Sequence, residues 1–211
     1  MNIKKDIRKL NINDFKNAII YYTKVIELDE NRPQVWSQLL FIESKLEAYN
    51  DLETESEKAF HLFPSNPVYY FFNGIANSQL KNYKKAMISL EMGLEFVIET
   101  PPLLVQFYST MGDIYHTINE HYKSDSLYDL ALVYEPDNVQ VLNNYSYYLS
   151  LRNENLEKAT QMSKKSNELS PENASFQDTY AWILYQKKEY ELAKTWLIKA
   201  YENGGKLSPV I

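Results

Sequence analysis

A bulky residue returns along this chain at a nearly constant interval. Phe15, Tyr49 and Tyr83 stand 34 residues apart, and further steps of 38, 35 and 34 reach His121, Leu156 and Tyr190. Three residues beyond each come Ala18, Leu52, Ala86, Ser124, Ala159 and Ala193; ten beyond each come Val25, Ala59, Gly93, Ala131, Ser166 and Ala200. A third series, Leu40, Gly74, Gly112, Ser146 and Ala181, precedes the bulky position by nine or ten residues. A fixed period of this length means that one supersecondary unit recurs. Such a unit cannot bury its apolar face alone, so its neighbours must cover it.

The spacing inside each unit predicts two helices. Ala18, Tyr22 and Val25, like Ala193, Leu197 and Ala200, recur at three- and four-residue steps and share one helical face. Small residues at fixed places let antiparallel helices approach, and bulky ones fill the space between hairpins. Pro64, Pro136 and Pro171 fall where helices must stop, because proline lacks the amide N–H and clashes with the preceding turn. The predicted helices are 14–28, 33–46, 50–62, 67–80, 83–97, 102–117, 121–134, 138–151, 155–168, 174–187 and 190–203. Glu99-Thr100-Pro101-Pro102 is the largest interruption and reads as a longer inter-repeat loop.

A period of 34, paired helices, small residues at three fixed places and a closing proline together resemble the tetratricopeptide repeat. The resemblance implies an all-α fold, a right-handed superhelical solenoid of antiparallel hairpins. Its units would be 1–32 (a partial first unit), 33–66, 67–104, 105–138, 139–173 and 174–205, with 206–211 opening a further unit or forming a tail, all in one continuous solenoid. Leu40 and Leu52 depart from the pattern by being large, and His121 replaces the usual aromatic. No polar capping helix follows Trp196-Leu197-Ile198, which suggests a segment of a longer array or an end that packs on another copy.

The same resemblance implies a concave groove lined by the first helix of each hairpin. The candidate lining is Phe41, Phe71, Ile75, Asp113, His116, Asn143, Asn144, Tyr147, Asp178, Trp182 and Tyr185, with Ser37, Ser44, Ser78, Ser109 and Ser150 between them. It contains no Lys or Arg, so the carboxylate clamp that some family members use is not expected: an anion would meet Asp113 and Asp178 without a compensating cation. Asn143 and Asn144 are suited to bridging the N–H and C=O groups of an extended peptide, while Trp182, Tyr147 and Phe71 would bury its side chains. Aromatic residues on a first helix can also serve the adjoining repeat, and Phe72 and Tyr145 are assigned to the core.

Composition excludes several other roles. A net charge of −6 and a pI near 5.2 oppose nucleic-acid binding, and no segment has the ~20 apolar residues of a membrane span. Cysteine is absent, which removes disulfides and thiol chemistry. Asp113, His116 and His121 are close in sequence, yet His121 holds the structural bulky position, so no metal or other cofactor is expected. No phosphate loop or nucleophile elbow is present, and the chain is not expected to be an enzyme. The expected role is a scaffold for a protein or peptide partner. The last two units also look like those of long bacterial tetratricopeptide proteins, many of them exported. That likeness implies, as an alternative, an assembly subunit of a cell-envelope complex, acting through repeat edges or by self-association at its C-terminal end. The compartment stays open.

Overall fold

The computed structural model describes residues 12–98 and 100–205. The first half-helix expected from the N-terminus and the continuation expected over 206–211 lie outside these, apart from residue 12. Among the described residues there are eleven helices and no strand. The chain divides into two compact units, Met1–Thr100 and Pro101–Ile211. The first contains α1 (Ile12–Leu28), α2 (Pro33–Lys45), α3 (Tyr49–Leu62), α4 (Pro67–Gln79) and α5 (Tyr83–Leu94). The second contains α6 (Pro101–Thr117), α7 (His121–Tyr134), α8 (Val139–Leu151), α9 (Leu156–Leu169), α10 (Ala174–Gln186) and α11 (Tyr190–Glu202).

Within the first unit α2 pairs with α3 and α4 with α5, and α4 also packs on α2 and α3. Within the second, α6–α7, α8–α9 and α10–α11 are hairpins, and α10 packs on both α8 and α9. Each hairpin closes in the same way. Glu47, Lys81, Asn119, Asn153 and Lys188 adopt left-handed backbone, with φ between 55 and 66°. The next amide then reaches back over the helix end: Ala48 to the Glu43 carbonyl at 3.0 Å, Asn82 to Asn77 at 2.8 Å, Glu120 to Tyr115 at 2.8 Å, Glu154 to Leu149 at 3.0 Å and Glu189 to Leu184 at 2.9 Å. These bonds satisfy carbonyls that a helix C-terminus otherwise leaves bare.

The opposite loops are built on a Pro-x-Asn pattern. Asn66, Asn138 and Asn173 each lie two residues after a proline and cap the following helix through the side-chain oxygen. A second device recurs before α2, α4 and α10, where a side chain donates to a carbonyl six residues upstream. Trp36 Nε1 donates to the Glu30 carbonyl at 2.8 Å, Tyr70 Oη to that of Pro64 at 3.0 Å, and Gln177 Nε2 to that of Pro171 at 2.7 Å.

Volume is matched across each hairpin. A methyl placed on Gly74 would lie 2.5 Å from Leu90 Cγ, and one on Gly112 would lie 3.0 Å from the Tyr128 ring. Both partners stand sixteen residues downstream of their glycine. At the same offset from the oversized Leu40 stands Ser56, and both are fully buried. Leu40 is accommodated in the first unit's core with Trp36, Leu52 and Ala59.

The helices differ from the predicted limits mainly at α5, which ends at Leu94 rather than 97. There Phe96 N–H donates to the Gly93 carbonyl at 3.1 Å and Val97 N–H to that of Leu94 at 3.2 Å, a tighter winding that closes the helix. No helix among the described residues is long and apolar enough to cross a membrane.

Candidate functional site

The first helices of the second unit are nearly free of charge. α8 carries no Asp, Glu, Lys or Arg, α10 carries only Asp178, and α6 carries only Asp113. Ten of the predicted lining residues lie on these three helices, and the two carboxylates have different surroundings.

Asp113 is held from two directions. Tyr128 on α7 and Tyr148 on α8 both donate to Asp113 Oδ1, Tyr148 at 2.9 Å. Burial raises the carboxyl pKa, while both phenols oppose the shift. The phenols are in turn pushed well above the ordinary tyrosine range by burial and by the carboxylate beside them. His116 lies flat on the Tyr148 ring, with centroids 3.7 Å apart and planes 12° from parallel. Burial, helped by His121 and Arg152, lowers its pKa to about 4, so at neutral pH it is an uncharged ring. Asp113 and His116 therefore tie α6 to α8. Sequence reasoning missed Tyr128 and Tyr148; their signal is the chain's eighteen tyrosines, a residue type that suits half-buried positions needing a hydroxyl.

The rings of His116 and His121 are 5.5 Å apart, and Nδ1 of each is buried without a partner. Among the described residues no group of three or more His, Asp and Glu could hold a metal ion.

Further along, the face becomes accessible. Tyr147 on α8 and Tyr185 on α10 are each 39% exposed. Trp182 and Tyr185, one turn apart, have stacked rings with centroids 5.9 Å apart and an interplanar angle of 19°. Asp178 lies one turn before Trp182; burial raises its pKa, and no described residue pairs with it. Asn144 accepts from Gln140 at 2.8 Å and from Asn143 Nδ2 at 3.4 Å. Asn143 is only 7% exposed, and its Oδ1, like Trp182 Nε1, is buried without a partner. Ser150 and Ser109 donate to carbonyls of their own helices, at 2.6 and 3.2 Å, so these hydroxyls contribute less donor capacity than the sequence suggested.

In the first unit Phe41 lies on α2 and Phe71 and Ile75 on α4, all half-buried. Lys45 places its ammonium 5.5 Å from the Phe41 ring centre, so one cation adjoins a predicted lining residue. Phe71 and Phe72 have tilted rings 6.3 Å apart, and Phe72 packs against the core as expected. Tyr145 is likewise buried, in the second unit's core.

The family model for the tetratricopeptide repeat matches residues 9–32, and the solved structures extend the likeness. PilW, a widely conserved type IV pilus biogenesis factor, superposes with a TM-score of 0.80 at 13% identity, over 95% of this chain and 89% of that one. The fold is tetratricopeptide-like. PilF of Pseudomonas aeruginosa shares it at a TM-score of 0.71 and 17% identity, over 84% of this chain and 78% of its own. YrrB, a tetratricopeptide-repeat protein with an unusual peptide-binding site, gives 0.60 at 17% identity, over 87% of this chain and 92% of that one. No curated protein sequence matches. The tetratricopeptide-like hairpins explain why the lining residues recur at equivalent places: α6, α8 and α10 are the first helices of successive units.

Proposed function

We propose that this chain is a protein-interaction scaffold, and that α8 and α10 bind an extended segment of a partner protein. The observation that carries the reading is the composition of one face. Tyr147, Trp182 and Tyr185 offer partly exposed aromatic surface, and Asn143 Oδ1 and Trp182 Nε1 have no hydrogen-bond partner among the described residues. Partly exposed rings grouped on helices without Lys or Arg fit a surface that a partner segment covers. Aromatic anchors supply most of the binding energy in such contacts.

A carboxylate clamp does not suit this face. Two cations at the ends of α8 and α10 form ion pairs: Arg152 with Asp125 and Glu154 at 2.8 Å each, and Lys187 with Glu157 at 3.1 Å and Glu189 at 3.3 Å. The test is the double substitution Tyr147→Ala with Trp182→Ala. Partner binding should be lost while the helical circular dichroism and the cooperative melt persist. Undiminished binding by the folded double variant would refute the reading.

A second reading, assembly through a repeat edge, is favoured by an apolar cleft of about 550 Å³ on α11, lined by Tyr185, Tyr190, Leu197, Ile198 and Tyr201 among others. Covering such a patch with another copy would remove apolar area from water. Sedimentation equilibrium tests it, and a monomer at high concentration rules it out.

A further inference from the structure

Asp178, Trp182 and Tyr185 follow one another at four- and three-residue steps and so share one face of α10. The carboxylate has no hydrogen-bond or ion-pair partner among the described residues, although it is half-buried. Asp113, the other acid on these helices, is satisfied by two phenols. The asymmetry matters when a ligand covers the face. Removing an unpaired carboxylate further from water is costly unless an opposite charge arrives with the ligand.

Charge on α8 and α10 themselves points the same way. α8 and α10 supply no cation, and Arg152 and Lys187 at their ends are committed to acids. An incoming positive group therefore meets no cation on α8 or α10, and Asp178 has no partner among the described residues. One turn away lie the near-parallel, partly exposed rings of Trp182 and Tyr185, with centroids 5.9 Å apart. The negative face of an aromatic ring attracts a cation, and a long alkyl stem covers its apolar surface well.

Resting on the peptide-binding reading above, we propose that the bound segment presents a Lys or Arg side chain to Asp178, with the stem of that side chain lying along the Trp182–Tyr185 ring pair. The partner class is an extended protein segment bearing one basic residue among apolar ones. Acidic segments are rejected, and neutral ones bind with Asp178 left unpaired.

The test uses the full chain and a positional-scanning library of short acetylated, amidated peptides, which removes terminal charge as a variable. Lys and Arg should be selected over Gln at one position by about tenfold, the scale of one good charged contact. In Asp178→Asn that preference should fall below about twofold while the selection of apolar residues at neighbouring positions persists. A basic peptide from the selection should shift the Trp182 indole N–H resonance, assigned with Trp182→Phe. If peptides are selected but Lys and Gln are equivalent, or if the Lys preference survives Asp178→Asn, the basic-residue proposal is overturned and the peptide-binding reading stands. If the folded chain selects no residue at any position, both are overturned.

Discussion

The Tyr148 hydroxyl donates to Asp113 Oδ1 at 2.9 Å, a contact between residues 35 apart that joins the first helices of successive hairpins. Tyr128 reaches the same oxygen from the second helix, passing over the bare α-carbon of Gly112. One buried carboxylate thus fastens three helices of the second unit. Hydrogen bonds to a charged acceptor contribute about 1.5–3 kcal/mol each, so Tyr148→Phe should destabilise this unit by roughly that amount. Urea unfolding followed by circular dichroism measures it. A change below about 0.5 kcal/mol would mean that the phenol does not support the carboxylate.

Gly74 faces Leu90 with no room for a methyl group. Gly74→Ala should destabilise the first unit by about 1–3 kcal/mol through overpacking. Leu90→Ala alone should also destabilise it, by leaving a cavity. Combined, the two changes should cost less than their sum, and a double-mutant cycle by chemical denaturation reads the difference. Strict additivity would contradict the contact.

Glu43 is only 3% exposed, in the core position that Asn77 occupies one repeat later, and its Oε2 has no partner. Burial, with the charges of Glu55 and Asp51 adding to it, pushes its carboxyl from an ordinary 4.5 up to about 8. The folded state therefore favours the protonated acid. The stability this contributes is fully present below about pH 4.5 and is lost as pH rises through about 8. Denaturant melts across that window should show the first unit weakening with rising pH. Glu43→Gln, which stays neutral, should flatten the dependence; a persistent slope in the variant would assign it to another group.

Lys81 and Lys188 hold left-handed backbone, with φ of 63° and 66°, at the turn that closes a hairpin. A residue with a Cβ loses about 1 kcal/mol in that conformation, whereas glycine adopts it freely. Lys81→Gly and Lys188→Gly should each stabilise the chain by about 0.5–1 kcal/mol, visible as a higher midpoint in thermal or urea melts. A loss of stability would indicate an unrecognised role for the lysine.

Much of the fold was legible because the repeat carries the same information several times. Ala18, Ala86, Ala159 and Ala193 mark one face, and Pro64, Pro136 and Pro171 mark helix ends, so helix limits emerged close to those observed. Pairwise compensation was harder to see. Leu40 departs from the small residue of the pattern, yet it is fully buried in the first unit's core. The caps at Asn66, Asn138 and Asn173 follow a Pro-x-Asn spacing, but whether each side chain turns to bond the helix N–H groups depends on its rotamer, which spacing does not show.

The candidate site was less legible, for a physical reason. A side chain's position on a helix face follows from spacing, but its partners lie on other helices. Asp113 and Asp178 occupy similar predicted places, yet Tyr128 and Tyr148 satisfy the first and no described residue satisfies the second. Similarly, nothing local distinguished exposed Tyr147 from Tyr148, whose hydroxyl and ring are both engaged. Spacing predicted membership of the face; only the packing separated the residues that hold the unit together from those left for a ligand.

The central claim is that the accessible aromatic face of α8 and α10 is the binding surface. Site-specific photo-crosslinking tests it most directly, with a benzophenone amino acid replacing Tyr147, Tyr185 or, on the far helix α7, the highly exposed Tyr122. The account predicts a discrete crosslinked partner from positions 147 and 185, suppressed by Asp178→Asn with Trp182→Ala, and none from 122. Crosslinking of a discrete partner from 122 alone would contradict it.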